Sequence, residues 1–82
     1  LKEVSARLAK YLIDLSIRTD SDTCELGISK TQLASRLGTI PETLSRALKK
    51  MQKRGFISME GKKISILDRK KMEQISAGMK LS

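Results

Sequence analysis

Between Ser29 and Gly55 the chain carries two helix-start signals, each followed by a glycine that can stop a helix. Ser29-Lys30-Thr31-Gln32 has the form S-x-x-Q, and Thr39-Ile40-Pro41-Glu42 has the form T-x-x-E. In a capping box the hydroxyl accepts from a backbone N–H and the residue three positions on reaches back to the cap. Helix two is therefore expected from about Lys30 to Leu37, burying Leu33, Ala34 and Leu37. Gly38 can take the left-handed conformation that closes it. Thr39 is expected to cap helix three, with Pro41 in the first turn, where no intrahelical donor is lost. Helix three then spans about Ile40 to Arg54, and Gly55 ends it. Two capped helices around a tight turn are the outline of a helix-turn-helix.

The flanks complete an α+β, mostly α, domain of 82 residues, small enough to bury only a modest core. Val4, Leu8, Leu12 (with Tyr11) and Leu15 form one stripe of an amphipathic helix over about residues 2–18. Thr19-Asp20-Ser21-Asp22 should end it. Cys24, Leu26 and Ile28 alternate with polar or small residues, which makes a short strand at best, weakened by Gly27. Phe56–Met59 and Lys63–Leu67 read as strands of a hairpin turning at Glu60-Gly61-Lys62. Asp68 can cap a short last helix from Arg69 to about Ala77, whose few apolar positions, Met72 and Ile75, predict only partial packing. The tail from Gly78 is expected to fray. The whole reads as one winged helix-turn-helix domain over residues 1–82: a three-helix core, a small antiparallel hairpin wing over about 56–67 and a short C-terminal helix.

Charge narrows the function. Seventeen basic and nine acidic side chains leave a net charge of +8. Such a domain attracts polyanions, nucleic acid first and an anionic membrane surface second, unless the charge is merely a soluble surface. Clustering of the charge favours nucleic acid. The longest apolar run is Tyr11-Leu12-Ile13, far short of a membrane span. With no histidine and a single cysteine, Cys24, there is no disulfide framework within the chain and no zinc ligand set. The lack of histidine also argues against general acid–base catalysis, and no nucleophile–base pair or phosphate-cradling loop is visible, so an enzyme is not expected. Tyr11 and Phe56 are the only aromatics, which favours duplex over single-stranded nucleic acid. The first residue is Leu, as expected for a piece of a longer protein.

Helix three has two faces. At about 100° per residue, Glu42, Ser45, Arg46 and Lys49 share one side, and Leu44, Ala47, Leu48 and Met51 the other. The apolar side must pack on the other helices, leaving the polar side for the major groove. Arginine can bond bidentately to guanine O6 and N7, and glutamate can accept from the cytosine N4 amine. Ser45 is short enough to allow close approach. A helix that bound only phosphate would be repelled through Glu42, so an acid here suggests base reading. The simpler account is that Glu42 completes the capping box and suits the positive helix end; the two are compatible. Attraction to the duplex then falls to phosphate contacts: Ser29, Lys30 and Thr31 at the start of helix two, Thr39, Thr43 and Lys49 in or beside helix three, and Lys62 at the hairpin tip. Lys50, Lys53 and Arg54 extend the basic strip away from the groove.

The stretch "ISKTQLASRLGTIPETLSRALKKMQKRGFISMEGKKISIL", Ile28 to Leu67, resembles the winged helix-turn-helix domain of the Crp/Fnr family of bacterial transcription regulators. The Glu42–Arg46 core, E-T-L-S-R, is most similar to the Fnr branch, and residues 1–18 resemble the start of the same domain. The resemblance implies that Glu42 and Arg46 read a G·C pair in a TGA core and that Ser45 goes with a TTGAT-like half-site. Where the cyclic-AMP-receptor branch has an arginine, this chain has Pro41, which disfavours a TGTGA-type site. It further implies a cytoplasmic bacterial protein, homodimeric on palindromic duplex DNA, with RNA polymerase as a further candidate partner and no membrane. No cofactor is expected in this domain, since any effector would bind an N-terminal sensor domain. Cys24 does not match the iron–sulfur ligands of the Fnr branch and reads as a small, partly buried residue. The rival reading is a winged helix serving protein–protein or RNA interaction.

Overall fold

The computed structural model describes residues 3–79. In chain order it contains α1 (Val4–Thr19), β1 (Thr23–Glu25), α2 (Lys30–Arg36), α3 (Pro41–Lys53), β2 (Ile57–Glu60), β3 (Lys63–Ile66) and α4 (Arg69–Ser76). Four helices and one small antiparallel sheet make the mostly helical winged-helix architecture that the pattern predicts. The first helix starts at Val4, later than the expected residue 2, which lies outside the described residues; Glu3 is extended and serves as the N-cap. Its last turn runs one residue past expectation, closed by Asp20 in the left-handed conformation (φ 53°).

The core draws on every element. Leu8, Leu12, Leu33, Leu44, Leu48, Met51, Ile57, Ile64, Met72 and Ile75 are essentially removed from solvent. On α1 the buried band is wider than the predicted stripe. Ala6, Ala9 and Ile13 are buried beside Leu8 and Leu12, while Tyr11 and Leu15 are only partly covered. The small alanines let neighbouring elements approach this side of the helix, which apolar spacing by larger residues alone would miss.

The wing is a three-stranded sheet in the order β1-β3-β2, not a bare hairpin. Cys24 lies opposite Ile64, and Ile57 opposite Ile66, with all four side chains buried. On the other face Thr23 Oγ1 and Ser65 Oγ share a hydrogen bond of 2.9 Å. Gly27 does no harm to β1 because the strand ends before it. Glu60 pairs with Lys63, so the turn is Gly61-Lys62, with Gly61 at φ 61° in the position where a II′ hairpin turn calls for glycine. The Lys62 carbonyl accepts from the Leu26 N–H at 3.0 Å, tying the tip to the segment after β1.

Contrary to the expectation of partial packing, α4 is fully seated. Met72 and Ile75 are completely buried, each worth about 1.5–3 kcal/mol of apolar transfer. The helix lies against α1. Asp68 caps it as expected, accepting from the Lys71 N–H at 3.0 Å. A second lock was invisible in sequence. Arg69 Nη2 donates to Ser16 Oγ at 2.8 Å and to Asp22 Oδ1 at 2.7 Å, and Ser16 Oγ donates to the Ile13 carbonyl at 2.7 Å. Ser16 is buried, and the guanidinium fills the acceptor side of a hydroxyl whose proton is already given to Ile13. Gly78 and Met79 do not fray either: their N–H groups bond the Ile75 and Gln74 carbonyls in a Schellman closure. The rest of the expected frayed tail lies outside the described residues.

Met72→Ala is expected to cost about 2–5 kcal/mol by leaving a cavity between α4 and α1. Asp68→Ala, which removes only the cap, should cost about 0.5–2 kcal/mol. Urea unfolding followed by circular dichroism measures both.

Candidate nucleic-acid interface

The start of α2 is built as its sequence predicts. Ser29 Oγ accepts from the Gln32 N–H, and Gln32 Oε1 accepts from the Ser29 N–H, both at 3.1 Å. Leu33, Ala34 and Leu37 are buried. The helix closes in a Schellman motif: Gly38, at φ 73°, donates to the Ser35 carbonyl at 3.1 Å, and Thr39 donates to the Ala34 carbonyl at 2.9 Å.

That closure overturns the second capping box. The N–H of Thr39 is spent on the end of α2, and the N-cap of α3 is Ile40, with no side-chain cap bond. Proline explains the shift. Pro41 suits the first helical position, and its ring drives the preceding residue out of the α region. Ile40 is accordingly extended, at φ −106° and ψ 157°, and its carbonyl accepts the first helical bond, from Leu44, at 3.1 Å. Thr39 is one residue too early to cap, and Glu42 is one residue too early to reciprocate.

Glu42 thus loses the capping role, while the other part of the simpler account holds, since a carboxylate in the first turn suits the positive helix end. It stands in the first turn of α3 with its side chain 78% exposed. Arg46 lies one turn on, 70% exposed, with Nη2 at 4.0 Å from Glu42 Oε1. At that distance and exposure the pair contributes little to stability, and both groups keep bonding capacity for an external partner. Ser45 is half-buried between them, and Lys49 continues the face, exposed. Leu44, Ala47, Leu48 and Met51 are buried on the opposite side, so the helix cannot rotate without stripping the core.

The other candidates divide. Ser29, Lys30 and Thr31 are exposed at the start of α2, and Thr39 is half-buried in the turn. These residues and Thr43, half-buried on α3, belong to one unit because α2 packs on α3. Lys62 is exposed on a separate element, the sheet tip. The sequence reading passed over Ile40 because it sat inside an assumed cap. Its signal was its place directly before proline. Ile40 is 57% exposed, one of four large apolar side chains in the open among the described residues, and the others lie outside the α2–α3 unit.

A family model described as the Crp-like helix-turn-helix domain matches residues 6–75. The chain belongs to the Crp-like helix-turn-helix family. Its Crp-like domain is similar to the probable transcriptional regulator flp of Lacticaseibacillus casei, with 40% identity over 73 residues, covering 89% of this chain and 33% of that protein. It is also similar to the transcriptional activator protein anr of Pseudomonas aeruginosa, 35% identical over 72 residues, covering 82% of this chain and 30% of that one. The chain therefore spans about a third of the length of these curated relatives. Among solved structures, FixK2 from Bradyrhizobium japonicum superposes with a TM-score of 0.85 at 24% identity, covering 96% of this chain and 41% of that one, a likeness of fold. A Crp/Fnr-family protein from Eubacterium rectale is likewise similar, with a TM-score of 0.80 at 28% identity, covering 93% of this chain and 34% of that one.

Ser29→Ala should destabilise the domain by about 1 kcal/mol, since it removes a made cap. Thr39→Ala should stay within about 0.5 kcal/mol, since no cap is lost. Thermal and urea unfolding of the two variants side by side checks the corrected start of α3.

Proposed function

We infer that this domain binds double-stranded DNA sequence-specifically as the DNA-binding part of a Crp/Fnr-type transcription regulator, with α3 in the major groove. The observation that carries this is the division of α3: one side locked in the core, the other presenting Glu42, Ser45 and Arg46. Membership of a family of transcription regulators supports it. In this reading Arg46 donates to guanine O6 and N7, and Glu42 accepts from the paired cytosine's N4 amine. Ser45 lies between them and lets the backbone approach. The half-site is TTGAT-like, and Pro41 takes the place from which a longer basic side chain would have reached a further guanine.

The acid on this face is offset by cations around it. Lys30, Lys49 and Lys62 contact phosphate, as do Ser29, Thr31, Thr39 and Thr43, and the net charge of +8 draws the domain to the duplex. In the whole protein two such domains sit on a palindrome, each raising the other's local concentration. The protein works in the cytoplasm; no helix among the described residues is long and apolar enough to cross a membrane.

Arg46→Ala should weaken binding to a TTGAT palindrome by about 1–3 kcal/mol and relax the preference for G, with little effect on a scrambled duplex. Lys62→Ala should weaken both duplexes alike and reduce the slope of log K against log salt by about 1. Anisotropy titrations at several salt concentrations, with an RNA hairpin as a third probe, read these outcomes. Equal losses on both duplexes for Arg46→Ala, or tighter binding to the hairpin, would reject base reading.

A further inference from the structure

We propose that Ile40 is a further specificity-determining residue, reading the C5 methyl group of a thymine in the major groove. The inference rests on the reading of α3 as the major-groove helix and adds to it an apolar contact.

Two features of Ile40 run against what the fold alone favours. The N-cap position favours Ser, Thr, Asp or Asn, whose side chains satisfy an open N–H of the first turn; isoleucine is among the poorest choices. Here that position has no side-chain cap bond. The side chain gains little from the core in return, being 57% exposed. The residue is nonetheless held firmly. Thr39 before it is bonded to Ala34, Pro41 after it fixes the backbone, and its own carbonyl is bonded by Leu44. An isoleucine has few rotamers to lose on contact.

Its place selects the occupant. In a helix-turn-helix the N-terminal residues of the second helix meet base edges. Ile40 directly precedes Pro41 and stands two residues before Glu42, at the leading tip of α3. Among base edges in that groove the thymine methyl is the apolar feature, and side chains that read it do so by burying it. The isoleucine side chain can neither donate to phosphate nor accept from a base amine, so burying the thymine methyl is the base-edge contact open to it. The other exposed large apolar residues, Ile17, Leu67 and Met79, lie at the end of α1, between β3 and α4, and after α4, away from this tip.

Deoxyuridine differs from thymidine only by that methyl, so a substitution scan isolates it. The 82-residue chain and its Ile40→Ser variant are titrated against a palindrome of two TTGAT half-sites flanked by A·T pairs. Each thymine is replaced in turn by deoxyuridine, symmetrically in both halves. Serine restores a capping side chain, so the variant should melt no lower than the parent. At one thymine, replacement should weaken the parent about fourfold, the worth of one buried methyl group, and leave Ile40→Ser unchanged. Ile40→Ser should also lose about that factor on the unmodified site while still preferring it to a scrambled duplex. Should deoxyuridine have no effect at any position while that preference persists, the role of Ile40 falls and base reading by Glu42 and Arg46 stands. Should the methyl effect persist undiminished in Ile40→Ser, another side chain reads it and the proposal falls. If the parent shows no preference for the site over the scrambled duplex, both readings fall together.

Discussion

The buried stripe of α3 governs the surface of this domain. Leu44, Ala47, Leu48 and Met51 belong to the same core as Leu8 and Leu12 of α1, Leu33 and Ala34 of α2, and Met72 and Ile75 of α4. Turning α3 by even one residue, about 100°, would drive Ser45 or Lys49 inward and leave a charge or hydroxyl without a partner. The outward face is therefore set by what lies beneath it. Glu42 and Arg46 can stay mobile at their tips while the backbone that carries them is held in place.

The connection between α2 and α3 does the rest of the positioning. Gly38 reverses the chain in the left-handed region, two backbone bonds close α2, and Pro41 opens α3 two residues after Thr39. No side chain is needed to start α3. The side chains of Thr39 and Ile40 therefore have no part in capping α3, whose start lacks a side-chain cap bond. A helix start optimised for stability alone would look different.

Much of this was legible in the residues. The capping box at Ser29, the glycine stops at Gly38 and Gly55, the hairpin glycine Gly61 and the 3.6-residue spacing of α3 act locally, so local pattern reveals them. What escaped was of two kinds. At Thr39 two local rules competed, and the proline rule overrode the T-x-x-E motif because steric exclusion before Pro41 is stronger than a side-chain hydrogen bond. The seating of α4, the pairing of β1 with β3 and the bonds from Arg69 to Ser16 and Asp22 depend on segments far apart in the chain. No periodicity within α4 announces that its two apolar residues become fully buried where α4 packs on α1. The α3 face was foreseen as a geometric object, while the exposed isoleucine at its tip emerged only once the helix start moved.

The clasp between the first and last helices has a consequence for how such a domain matures during synthesis. Helices α2 and α3 leave the ribosome well before α4, yet the shared core lacks Met72 and Ile75 until α4 arrives to pack on α1. A nascent chain halted within the wing would hold α2, the turn and α3 on a core still open along α1. The core is thus completed late in the synthesis of this domain, with α4 acting as its latch on α1.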